Sequence, residues 1–191
     1  NHGTLTNMDP STDWVNGRHG KALDFDGSND YVDAGSASSL DDLGPLTLSA
    51  WIKPNTMGES SAGIIAGKDG SSAGFWILRF AGTNALLFTK DWSFTDLSAQ
   101  TSDNTVSLGV WSHAAVTWDG SATVKIYVNG VALSNASFTQ GSFSKNSDAS
   151  ANFYIGNNSG GTRTFDGLID DVRVYNRALS AAEVGALYES R

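Results

Sequence analysis

The sequence predicts an all-β chain: a two-sheet antiparallel sandwich closed by one short C-terminal helix. Three observations carry this. Apolar and polar residues alternate with period two through nearly everything before residue 175. Turn residues punctuate the alternating runs, with 21 Gly and only 3 Pro in 191 residues. A helical period occurs at one place, the C-terminal end.

The elements follow in order. Residues 1–19 read as an N-terminal arm, with His2 and His19 in coil. Strands are expected near 22–26 and 30–34, then in LTLSAWI, where Leu46, Leu48, Ala50 and Ile52 oppose Thr47, Ser49 and Trp51. Further strands are expected near 63–68, 74–80, 85–90 and 96–101. Trp76 alternates there with Leu78 and Phe80 and reads as core. WSHAAVTWDG sets Ala114, Val116 and Trp118 against His113, Ala115 and Thr117, and Asp119-Gly120 turns the chain. Val124, Ile126 and Val128 then oppose Lys125 and Tyr127. Asn129-Gly130 signals a type I′ hairpin, because both central residues need positive φ. The last strands fall near 152–156 and 167–175. Ser180 and Glu183 form a capping box before a stripe of Leu179, Val184, Leu187 and Tyr188, which is the helix. About a dozen strands, each with one apolar face, need two facing sheets, and 191 residues suit a single domain, 1–191.

Composition excludes several classes. A net charge of −8 with 12 scattered basic residues argues against a phosphate-binding surface, so no nucleic acid partner is expected. No apolar run approaches the ~20 residues that cross a bilayer. The start, NHGTLTNMDP, has no basic segment followed by an apolar one, so no signal peptide is visible. The absence of cysteine removes disulfides, thiolate metal sites and thiol nucleophiles together.

Three segments carry a resemblance. GKALDFDGSNDYVDAG, WSHAAVTWDGSATVKIYVNG and FDGLIDDVRVYNRALSAAEV resemble, in order and spacing, the signature segments of laminin G-like domains of the concanavalin A-like lectin/glucanase superfamily. The resemblance runs from about Gly20 to the C-terminus. It implies a jellyroll of two curved antiparallel sheets, and a module of secreted or surface bacterial proteins that often accompanies glycoside-degrading catalytic domains.

DFDGSNDYVD, residues 24–33, holds four aspartates and no basic residue. It is not an EF-hand, since the sixth and twelfth positions from Asp24 hold Asn29 and Gly35. An Asx-rich turn bonding its own backbone would explain it blandly. In GLIDDVRVY, however, the pattern puts Asp170 on a face with Leu168, Val172 and Val174, where a carboxylate needs a cation or donors. The resembled family sets the N- and C-terminal strands side by side and commonly holds calcium near such turns. The expectation is therefore Ca²⁺ held by Asp26, Asn29, Asp30 and Asp170.

Catalysis is not expected. Glycosidases on this fold use closely spaced carboxylates along one strand. The three Glu are Glu59 in a loop and Glu183 and Glu189 in the terminal helix. Sugar binding remains. Trp92, in the polar loop TKDWSFTD with Phe94, is the candidate stacking platform, and Arg79, Gln100 and Tyr127 would supply a polar lining from non-core strand faces. The reading is a non-catalytic carbohydrate-binding module, calcium-stabilised, of a larger secreted or surface-attached bacterial protein. Its partners would be a polysaccharide or oligosaccharide and neighbouring domains. The alternative is a structural or adhesion module that spaces or docks its neighbours.

Overall fold

The computed structural model describes residues 2–69, 74–142 and 144–190. The strands are β1 (Thr4–Thr6), β2 (Trp14–Asn16), β3 (Lys21–Asp26), β4 (Tyr31–Asp33), β5 (Leu46–Pro54), β6 (Ile64–Asp69), β7 (Gly74–Ala81) and β8 (Ala85–Lys90). They continue as β9 (Leu97–Gln100), β10 (Ser112–Trp118), β11 (Val124–Val128), β12 (Val131–Leu133), β13 (Ser137–Thr139), β14 (Asn152–Ile155) and β15 (Asp166–Tyr175), followed by helix α1 (Ala181–Glu189). An eight-stranded sheet runs β1-β4-β14-β6-β7-β8-β9-β13, and a seven-stranded sheet runs β12-β11-β10-β5-β15-β3-β2. Every pairing is antiparallel.

The core follows from the alternation. Leu46, Leu48, Ala50 and Ile52 of β5, with Ala114, Val116 and Trp118 of β10, face Leu78 and Phe80 of β7 and Leu86 and Phe88 of β8. The Trp76 side chain lies outside the described residues. The expected coil at 1–19 is partly strand: β1 and β2 cover one edge of each sheet by pairing with β4 and β3.

A polar knot interrupts the apolar layer. Lys68 and Lys90 are fully buried and share the buried Asp148 at 3.1 and 3.2 Å, while Lys68 also meets Asp41 at 2.6 Å. Asp148 and Asp42 exchange backbone and carboxylate bonds, so the knot ties the 41–42 and 147–148 loops to the eight-stranded sheet.

The outer face of the seven-stranded sheet carries its own small core. Ala115 and Tyr127 are buried under Leu179 and Val184, and Tyr188 stacks on Trp51 with centroids 5.6 Å apart. The capping box forms as the sequence predicts: Ser180 Oγ accepts from the Glu183 N–H, and Glu183 accepts from the Ser180 N–H. Asn129 and Gly130 take φ of 51° and 78°, as the type I′ hairpin requires.

Candidate functional site

An acidic pocket lies where β3 meets β15. Phe25-Asp26-Gly27 and Phe165-Asp166-Gly167 sit side by side, with the two phenyl rings edge to face at 6.3 Å. Asp26 pairs directly with Asp166, an arrangement of like charges that destabilises a ladder unless something neutralises it. Asp30 is buried, accepts the Asp26 N–H at 2.9 Å, and has the Asp26 carboxyl within hydrogen-bonding reach. Asp24, Asp9, Asp13, Asn7 and Asn55 complete a cavity of about 400 Å³ lined by no basic side chain. Burial first, then Asp13, Asp166 and Asp26, pushes the Asp24 carboxyl up; burial does the same for Asp30. Asn29 enters through its carbonyl, which accepts from Asn7 Nδ2 at 3.0 Å, while its side chain is exposed. Asp26 Oδ1 closes the turn on the Ser28 N–H at 2.8 Å. No three acidic or histidine side chains among the described residues converge tightly enough to hold a metal as they stand.

Asp170 does not join this set. It lies four residues beyond Asp166 on β15, about 13 Å along the strand at ~3.3 Å per residue. Its Oδ2 accepts the His19 N–H at 2.8 Å, which satisfies its burial. The expected face was wrong because β15 bulges between Asp170 and Arg173, with Asp171 at φ 49°. The bulge turns Val172 and Val174 inward while Asp170 and Leu168 point outward beside Trp51 and Lys53.

The sugar-site candidates separate as well. Trp92 is partly buried against the core, and Gly141 approaches so closely that a Cβ there would fall 2.5 Å from the indole. Its Nε1 is buried, so the ring is packed beneath a loop and is no open platform. Phe94 is open, 78% exposed. Arg79 and Gln100 sit on the outer face of the eight-stranded sheet, two strands apart, with Leu87 between them in register. Arg79 is held by the Phe80 carbonyl at 2.8 Å, and burial followed by Arg163 lowers its affinity for its proton. Tyr127 belongs to the other sheet and is buried under α1, so it cannot share a surface with Arg79. Alternation had identified the non-core faces without saying that they belong to two sheets pointing opposite ways.

Sequence reasoning missed a constellation on β4 and β14. Tyr31 and Tyr154, both partly exposed, meet edge to face with centroids 5.8 Å apart and planes at 74°. Asp33 Oδ1 accepts the Gly35 N–H at 2.8 Å, and its Oδ2 accepts from Asn152 Nδ2 at 3.0 Å. Burial first, then Asp33, holds the Tyr154 proton more tightly than usual. The available signal was DYVD itself: with Val32 inward, Tyr31 and Asp33 must point out.

Comparison with known proteins fits this architecture. A family model of laminin G type, described as the Concanavalin A-like lectin/glucanases superfamily, matches residues 26–185. The chain belongs to that superfamily. No curated protein is significantly similar to it in sequence. Among solved structures, this superfamily member resembles the binding domain of Paraclostridial Mosquitocidal Protein 1 (TM-score 0.72, 18% identity, covering 98% of this chain and 47% of that one). It resembles the Botulinum Neurotoxin serotype G binding domain similarly (TM-score 0.71, 16% identity, 98% and 46%). Domain 4 of AbnA, a GH43 extracellular arabinanase from Geobacillus stearothermophilus, solved with arabinotriose, gives TM-score 0.62 at 23% identity, covering 97% of this chain and 87% of that one. The chain thus spans about half the length of the toxin binding domains and most of the arabinanase domain. The two toxin neighbours are binding domains, domain 4 is in complex with arabinotriose, and all three share the jellyroll fold. Among the described residues, no helix is long and apolar enough to cross a membrane.

Proposed function

We propose that the chain is a non-catalytic, lectin-like carbohydrate-binding module of a larger secreted protein. The carrying observation is the contrast between the two outer sheet faces. That of the seven-stranded sheet is covered in part by α1, with Tyr127 and Trp51 buried. That of the eight-stranded sheet leaves Tyr31, Tyr154, Asp33, Asn152, Thr89, Ser98 and Gln100 partly exposed, which is the mixture of aromatic faces and hydrogen-bonding groups that sugars require. Domain 4 of the extracellular arabinanase, with its arabinotriose, supports both a saccharide ligand and a secreted parent.

The acidic pocket suits a hard divalent cation by donor chemistry, since carboxylates, amides and carbonyls are what Ca²⁺ takes. Asp24, Asp26, Asp30 and Asp166 would hold it, with Asn29 contributing backbone oxygen. The ion would neutralise the opposed Asp26 and Asp166.

A glycan array with and without EDTA tests the reading. Binding to at least one plant or bacterial polysaccharide is expected, weakened by chelation through loss of stability. If no glycan binds in either condition, the chain is a spacer or adhesion module instead.

A further inference from the structure

We propose that Tyr31, Tyr154, Asn152 and Asp33 form a subsite for one neutral sugar ring. This rests on the carbohydrate reading above and gives it a place and a ligand class.

Val32 and Phe153 point into the core, so their neighbours Tyr31, Asp33, Asn152 and Tyr154 share the outer face. Asp33 and Tyr154 are directly paired across β4 and β14, which puts the two tyrosines on a diagonal. Their planes at 74° present two aromatic walls at nearly a right angle. Gly67, directly opposite Tyr154 on β6, is buried and adds no side chain of its own to the outer face.

Both chemical requirements of a sugar meet in this corner. The C–H face of a pyranose or furanose can lie on one ring while its hydroxyls reach the Asn152–Asp33 pair. That pair keeps free capacity. Each Asp33 oxygen uses one of its two lone pairs in these bonds, and of the four hydrogen-bonding positions of the Asn152 amide one is given to Asp33. A carboxylate–amide pair of this kind accepts from one hydroxyl and donates to the next.

Charge selects the ligand class. Asp33 lies within the corner and Asp69 borders it, with Asp69 already accepting from the Ser159 backbone N–H and hydroxyl. Among the described residues, no lysine or arginine is paired with Asp33. A uronate or sulfated residue would bring a second negative charge against Asp33, whereas a neutral hydroxylated ring meets no repulsion.

Isothermal titration tests this with xylotriose, cellotriose and laminaritriose as neutral probes and trigalacturonate as the anionic one. The wild-type protein should bind a neutral probe in preference to trigalacturonate. Tyr154→Ala should weaken that binding ten-fold or more, and Asp33→Asn, which keeps the shape but loses the charge, several-fold. Thermal melts identify any variant that fails to fold; Asn152→Ala, which leaves the ring pair in place, then carries the test and should also weaken binding several-fold. Wild-type binding to a neutral probe with unchanged affinity in the Tyr154 and Asn152 variants overturns the subsite and leaves the carbohydrate reading standing. Preference for trigalacturonate overturns the neutral class. Binding to none of the probes, acidic or neutral, overturns the subsite, and the glycan array alone then decides the broader reading.

Discussion

His113 is a buried base with a wrong-way incentive to accept a proton. It sits under the Trp51 and Tyr188 rings, and burial pulls its pKa from 6.5 to about 4, with Arg173 and His19 adding to the effect and Asp171 opposing it. The folded chain therefore holds it neutral where the unfolded chain protonates it. Its contribution is fully present above pH 6.5 and is lost as pH falls from 6.5 to about 4, on the order of 3 kcal/mol. Melting temperature should fall across that window, and His113→Phe, which keeps an aromatic ring among aromatic neighbours, should flatten the fall. Parallel pH profiles for the two proteins would remove His113 as the cause. The same residue shows what the sequence conceals: strand alternation places it off the core face, but the helix that buries it, Ala181–Glu189, lies far along the chain.

At the scale of elements, loops and bulges decide what alternation leaves open. The loop holding Trp92 bridges to 142–145 through Trp92–Lys145 and Thr95–Ser142 pairs, and Gly141 lies on the indole. Its polar neighbours Asp91 and Asp96 suggest exposure in sequence; in space Asp96 binds the Trp92 N–H at 3.0 Å and Asp91 binds Asn146 at 3.0 Å. Trp92→Ala should thus cost about 2–4 kcal/mol of stability, as removal of a packed aromatic does. A thermal or denaturant melt checks this, and an unchanged midpoint would return the ring to the surface. The strands and α1 were legible because period, turn residues and capping box are local signals. Asp170 was misread because the Asp171 bulge breaks the period, and non-glycine residues rarely announce a positive φ. Tyr127 was grouped with Arg79 because sheet membership is a tertiary fact that alternation does not contain.

At the scale of the whole molecule, charge is distributed as a problem that one cation could solve. Six aspartates from the N-terminal arm, β3, its turn and β15 face one cavity in a chain of net charge −8. Half of this was legible: residues 24–33 stand out in the sequence as four aspartates without a basic residue, but the direct Asp26–Asp166 pairing required the fold. With Ca²⁺ present, melting temperature should rise with its concentration by mass action. Asp24→Asn should shrink that rise yet make the metal-free protein more stable, because it removes one charge from a repelling set. A variant less stable in both conditions would mean that Asp24 acts by packing, and an identical melt with Ca²⁺ and with EDTA would dismiss the ion.

The pairing of β3 with β15 also sets how the molecule responds to tension. The two strands are antiparallel neighbours whose registered pairs run from Leu23–Ile169 to Asp26–Asp166. The segment entering β3 and the segment leaving β15 therefore emerge at the same end of this ladder. A pull on the two ends of the chain, once α1 has peeled away, loads one rung after another in the manner of a zipper, so the ladder resists weakly compared with strands sheared along their length. The last rung to part is the one between the two opposed aspartates. An ion bridging them would be a clasp at the foot of the zipper, at the last rung that joins the two strands.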